Sequence, residues 1–247
     1  MITHQTPLKE HIRVYDSIFH MVFFFFVFLF VYLTSPKVYN ILYIFFSTNP
    51  PTATSLQFTT SWIYSLFHHI VVVTVGILWI REDATMETCS DYASVFQHRY
   101  WFFDFVFSYM FFDFFMNWIQ KSYLYCFHHV LVMCLCRKLL DISGPIIRFI
   151  PHFLLCESSG IFFNVAWFLR KFGHEKTTLN RVIEILFACT FFLTRIVNLC
   201  IVLYYASKLP NIPRLLLVVI FPLVFLQFYW FYKIVSVLQK KFAKSKE

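Results

Sequence analysis

Long apolar runs constrain this chain more than any other feature. Seven recur between polar breaks, at residues 17–33, 59–80, 100–119, 123–136, 147–169, 183–205 and 215–237. About 20 apolar residues in a helix cross the hydrocarbon core of a bilayer, and a helix satisfies all its backbone polar groups within one segment. Only 14% of the residues are charged, against roughly 25% in a soluble domain. The chain therefore reads as an all-α polytopic membrane protein of about seven transmembrane helices. Three regions are expected: a leading helix and linker over 1–58, a six-helix domain over 59–238 and a basic tail over 239–247.

No small-residue cleavage site follows 17–33, so that run is expected to be a retained helix rather than a secretory signal. Pro36, Pro50 and Pro51 break the linker 35–58; its apolar part, 38–46, is too short to cross and is expected at the interface. The net charge of +8 lies mostly at the ends of apolar runs and in the tail KKFAKSKE. That placement suits snorkelling and contact with anionic headgroups, and no nucleic-acid partner is expected. Lys and Arg outside the spans divide almost evenly between the two sides, so the positive-inside asymmetry leans only slightly to a cytoplasmic C-terminus.

Polar residues inside the apolar runs carry the functional signal, because ionisable groups at membrane depth face a cavity or a partner. The stretch YLYCFHHVLVMCLC (123–136) holds the adjacent pair His128 and His129. In 59–80, Ser61, Ser65, His68 and Gly76 recur at helical spacing, giving one smaller and more polar face. In 100–119, Asp104 and Ser108 share one face and Asp113 and Asn117 another; Asp113 is expected near the interface with no specific role. The short turn 120–122 makes the third and fourth spans antiparallel neighbours. In 147–169, Glu157, Gly160, Asn164 and Trp167 form a single stripe. Arg195 and Asn198 lie one turn apart in the sixth span.

Each feature has two readings. His128 and His129 suit a general base and its neighbour, or an interhelical hydrogen bond. His68 and His69 are better explained as packing residues. Glu157 and Arg195 suit headgroup contacts or a buried ion pair. Asn164 and Trp167 are better explained by packing and hydrogen bonding. The only close cysteine pair, Cys134 and Cys136, lacks the second pair a zinc site needs, and neither H-x-x-x-H nor H-x-x-H-H occurs. No metal centre and no cofactor are therefore expected.

Four elements in order on successive spans carry a resemblance. They are Tyr100-x-x-x-Asp104, the pair His128-His129, then Glu157-x-Ser159-x-x-Phe162-x-Asn164-x-x-Trp167, then Phe191-Phe192-x-x-Arg195-Ile196. This order resembles the TLC-domain family of translocating-chain-associating, longevity-assurance and ceroid-lipofuscinosis proteins, over six spans from about residue 59 to 237. The resemblance implies a lipid or substrate site at Asp104, Glu157, Ser159, Asn164, Arg195 and His68, with His128 and His129 as catalytic candidates. The family includes ceramide synthases, which join an acyl group from acyl-CoA to a sphingoid base. This sequence departs from their signature, having Phe153 beside His152 and Cys156 where a second Asp is expected. Its E-x-S…N…W form is closer to the TLC-domain-containing and ceroid-lipofuscinosis branches. Those branches imply membrane lipid as partner, an endoplasmic-reticulum location and a role in lipid homeostasis. A ceramide-synthase-like N-acyltransferase using acyl-CoA and a sphingoid base, and an endoplasmic-reticulum cargo receptor, stand as alternatives. A seven-helix chemoreceptor is disfavoured, because Trp118-Ile119-Gln120 ends the third span and no N-P-x-x-Y occurs in the seventh.

Overall fold

The computed structural model describes residues 20, 22–24, 26–27, 53–84, 99–140, 149–208 and 214–244, and all of its regular structure among these is helical. The expected interfacial stretch 38–46 and most of the leading run 17–33 lie outside the described residues. The helices are α1 (Ala53–Asp83), α2 (Tyr100–Ile119), α3 (Tyr123–Leu140), α4 (Ile150–Leu155), α5 (Ser158–Lys171), α6 (Thr178–Phe191), α7 (Asn198–Ala206) and α8 (Arg214–Lys244), with a π-helical turn at Phe192–Val197 joining α6 to α7.

Among the described residues, four stretches are long and apolar enough to cross a membrane: Ser61–Asp83, Ile150–Lys171, Thr178–Ala206 and Val218–Lys241. The protein is an integral membrane protein. Its outer surface bears this out, since Phe221 is 69% and Phe225 80% exposed, a degree of apolar exposure that lipid tolerates and water does not. α2 is 20 residues long and carries two aspartates and an asparagine among its apolar residues.

The spans pack as a closed ring: α1 beside α2, α2 beside α3, α3 beside α8, α8 beside α6 and the π-turn, α6 beside α5, and α5 back against α1. Two tight turns set neighbouring spans antiparallel. At 120–122 the Ser122 amide donates to the Asn117 carbonyl at 2.9 Å and the Lys121 amide to the Trp118 carbonyl at 3.0 Å, the bond pair that closes a helix when the next residue turns left-handed. That residue is Lys121, at φ 57°. α5 closes the same way, with the His174 amide on the Leu169 carbonyl at 2.8 Å and Gly173 at φ 89°. Thr177 then caps α6, its hydroxyl accepting from the Asn180 amide at 3.2 Å.

Several boundaries differ from those read in the sequence. α1 begins at Ala53, two residues after Pro51, and ends at Asp83 rather than 80. There Glu82 and Asp83 hold Arg99 at 2.6 and 2.9 Å, fixing the start of α2. α6 begins at Thr178, five residues before the expected 183, because Thr177 supplies the cap. The expected continuous fifth span is broken: the Cys156, Glu157 and Gly160 amides bond three residues back, to Phe153, Leu154 and Glu157. Such tightened turns strand carbonyls, and the Ser158 hydroxyl takes up that of Leu155 at 2.7 Å. The sixth span is interrupted by the π-turn. Its Thr194 carbonyl accepts from the Cys156 thiol at 3.2 Å and the Asn198 amide at 3.2 Å.

Candidate functional site

The interior of the ring gathers the polar side chains that lipid would reject. Arg195 is carried by the π-turn, an irregularity that often marks functional positions because it re-aims a side chain. Its Nε donates to Ser159 Oγ at 2.9 Å, one terminal nitrogen to Gln227 Oε1 at 3.4 Å and the other to Glu157 Oε2 at 3.1 Å. Glu157 sits in the break between α4 and α5 and also lies 3.1 Å from His69 Nε2. His69 is anchored by its other ring nitrogen to the Ser65 carbonyl. Its ring rests on Gly160, where a Cβ would come within 1.9 Å of His69 Cδ2, so only glycine admits the imidazole.

A second group joins α2 and α3. His129 Nε2 lies 2.8 Å from Asp113 Oδ2 and 3.4 Å from Asn117 Nδ2, while His129 Nδ1 lies 3.1 Å from Met110 Sδ. Asn117 also donates to Asp113 Oδ2 at 2.9 Å. The aspartate thus holds one ring nitrogen of His129 and a thioether meets the other. His128 differs: its ring stands edge-on to Trp230 at 5.1 Å, and its Nδ1 has no hydrogen-bond partner among the described residues.

These groups line two adjoining cavities. The outer one, of about 480 Å³, is walled by polar groups such as His69, Asp113, His129 and Ser159 together with aromatic side chains such as Trp62 and Phe163, and reaches Gln120, Ser122 and Lys233 at the end of the bundle that holds the α2–α3 turn. The inner one, of about 90 Å³, is lined mainly by apolar side chains, among them Val72, Val106, Leu135, Ile150, Leu154, Leu199 and Leu223. Met110, His128, Glu157 and Arg195 belong to both walls and form the waist between them.

A family model of the TLC domain matches residues 59–236, from within α1 to within α8. The chain belongs to the TLC-domain family. Neither a curated protein nor a solved structure gives a match.

The TLC domain distributes the sequence-expected residues unequally. Glu157, Ser159, Arg195, His128 and His129 come together at the outer cavity, and His68 lines the inner one. Asp104 and Asn164 line neither of these two cavities. Asp104 is buried and lies 3.6 Å from His20 of the leading helical piece, whose Phe24 packs edge-on against Phe105 at 5.4 Å. Asn164 donates to Ser65 Oγ at 3.2 Å and the Gly160 carbonyl at 2.7 Å, joining α5 to α1. Trp167 stacks on Trp62 at 4.6 Å and contributes packing.

Asp113 differs from the expectation of an aspartate with no specific role: it is the partner of His129. A signal for it was present. Asp113 and His129 each lie eight residues from Lys121 (121 − 113 and 129 − 121), and equal distances from the turn of an antiparallel helix pair mean equal depth. Asp104 lies 17 residues from Lys121 (121 − 104) and cannot reach that level. His69 and Gln227 also join the site, and only the packing of distant spans shows it. Among the described residues, no three His, Cys, Asp or Glu side chains are placed together to hold a metal ion.

Proposed function

We propose that this TLC-domain protein binds an acyl lipid between its helices, with the polar end in the outer cavity and the chain toward the inner one, and acts in membrane lipid homeostasis. One observation carries the reading: a cavity ringed by polar and aromatic side chains and an apolar cavity share a waist of Met110, His128, Glu157 and Arg195. The outer cavity falls in the range of about 300–1,000 Å³ typical of small-molecule sites. Its polar groups are largely paired with one another, so they present fixed hydrogen-bonding positions, while the inner lining rejects anything but hydrocarbon or a well-matched polar group. An endoplasmic-reticulum location belongs to this reading. The test is photocrosslinking of the purified protein with a diazirine fatty acid, followed by peptide mapping. Labels on α3, α4, α7 and α8 residues of the inner cavity support the reading; labels only on outward-facing phenylalanines refute it.

A second reading, N-acyl transfer from acyl-CoA to a sphingoid base, is favoured by the state of His128. Its Nδ1 lacks a partner among the described residues and its ring faces both cavities. In such a reaction the amine attacks the thioester carbonyl, the new C–N bond replaces C–S, and the proton leaving the nitrogen passes through the imidazole to the departing thiolate. His129, held between Asp113 and Met110, positions its neighbour and the α2–α3 pair. Labelled acyl-CoA and sphingoid base given to the purified protein decide it: turnover abolished by His128→Ala supports transfer, and no turnover by the wild type refutes it.

A further inference from the structure

The outer cavity carries a cation that its own acids leave unmatched. Lys233 lines it together with Gln120 and Ser122. Of the carboxylates in the same wall, Asp113 is held by His129 and Asn117, and Glu157 by Arg195 and His69. Lys233 has no acidic partner among the described residues; its ammonium lies over the Tyr229 ring, 5.5 Å from the centroid. A lysine that only snorkels stretches outward to the interface. This one is folded back by one turn of α8, further into the span Val218–Lys241, where an ionisable group is retained to face a cavity or a partner. The surrounding end of the bundle is positive as well. Lys241, two turns beyond Lys233, meets Glu184 Oε1 at 2.7 Å, and Arg170 shares that oxygen at 3.0 Å. One acid there serves two cations, while Lys171 lies over the Trp167 ring at 6.0 Å. A cavity mouth set in such a field concentrates anions.

We infer that the outer cavity takes the head of an anionic single-chain lipid, a carboxylate or a phosphate, with Lys233 as its counter-charge. The inference rests on the lipid-binding reading and specifies its ligand. A lysine ammonium offers three donors and no acceptor. The half-buried side chains of Gln120 and Ser122 make no hydrogen bond among the described residues and add further donors to the same wall. A carboxylate or a phosphate accepts from several donors at once and brings the missing charge. A glycerol head accepts without supplying charge. An ammonium head supplies no acceptor and is repelled by Lys233.

The full chain in a non-ionic detergent is titrated with four lipids that share one saturated chain and differ in the head: hexadecanoic acid, palmitoyl lysophosphatidic acid, palmitoylglycerol and hexadecylamine. Binding is read by thermophoresis of dye-labelled protein. At least one anionic lipid binds about tenfold more tightly than palmitoylglycerol, about 1.4 kcal/mol, and hexadecylamine binds most weakly. Which of the two anions leads assigns the head as carboxylate or phosphate. Lys233→Met brings the preference for the anionic lipid over palmitoylglycerol to about one, and Lys233→Arg keeps it. Lys171→Met, which removes a cation of the same end outside the cavity wall, also keeps it. Palmitoylglycerol or hexadecylamine binding as tightly as both anionic lipids overturns the inference and leaves the lipid-binding reading standing. A preference that survives Lys233→Met, or that Lys171→Met removes equally, overturns it as well, since the charge of the whole bundle end then acts in place of Lys233. Absence of binding by all four lipids overturns both this inference and the reading beneath it.

Discussion

Replacing Arg195 by Met tests whether the buried ion pair is the bracket holding the ring closed. The guanidinium contacts α5 through Ser159, α8 through Gln227 and the α4–α5 break through Glu157. Removing one partner of a buried pair costs about 3–5 kcal/mol, chiefly for the charge left behind. Here Glu157 keeps His69 at 3.1 Å, which argues for the low end. Ser159 and Gln227 each lose a charged donor, adding about 1 kcal/mol apiece at most. The expected loss is about 4 kcal/mol, or about 10 °C in unfolding temperature for a chain of this length. Unfolding is followed in detergent micelles by near-ultraviolet circular dichroism. Adding Glu157→Met to Arg195→Met removes the stranded carboxylate and should recover about half the loss, because contacting residues couple by 0.5–3 kcal/mol in such cycles. An Arg195→Met protein that unfolds within about 2 °C of wild type, or a double variant no more stable than the single one, would refute the reasoning.

Gly160→Ala sets the better helix propensity of alanine, about 1 kcal/mol, against a Cβ placed 1.9 Å from the His69 ring. Expelling that ring costs about 1–3 kcal/mol in overpacking and its contact with Glu157 as well, so a lower unfolding temperature is expected and a higher one would show that His69 is freely displaced. Lys121→Gly relieves a left-handed non-glycine residue at φ 57° and should raise stability by about 1 kcal/mol, unfolding temperature again being the check. Leu223→Trp fills the inner cavity that Leu223 lines; crosslinking of a long-chain fatty acid should fall at least tenfold while that of a short-chain acid changes little, and unchanged long-chain labelling would place the chain elsewhere.

The membrane class, the helical spans and the family were legible in the sequence, because each is a local property. Apolar length alone makes a span, and four ordered motifs each lie within one or two helices. The antiparallel α2–α3 pair was legible too, since a three-residue turn allows no other arrangement. Breaks inside spans were harder to see. Nothing in CESSG announces that α4 stops before α5, because the stranded carbonyls are satisfied by a serine three residues on, by groups of other spans and by the turn itself. The π-turn at Phe192–Val197 is likewise a compromise with neighbours: the Thr194 carbonyl is taken up by Cys156 and Asn198.

The histidines show the division most clearly. The sequence by itself determined that His128 and His129 are adjacent on a membrane helix, and therefore about 100° apart around it. Which of them meets Asp113 and which stands against Trp230 was decided only by how α3 is rotated between α2 and α8. That rotation is set by side-chain packing across the whole ring, with Trp230 on one side and Met110 on the other, and no local pattern encodes it. The same holds for Glu157, whose partners His69 and Arg195 come from spans far apart in the chain and meet because the six spans close on themselves.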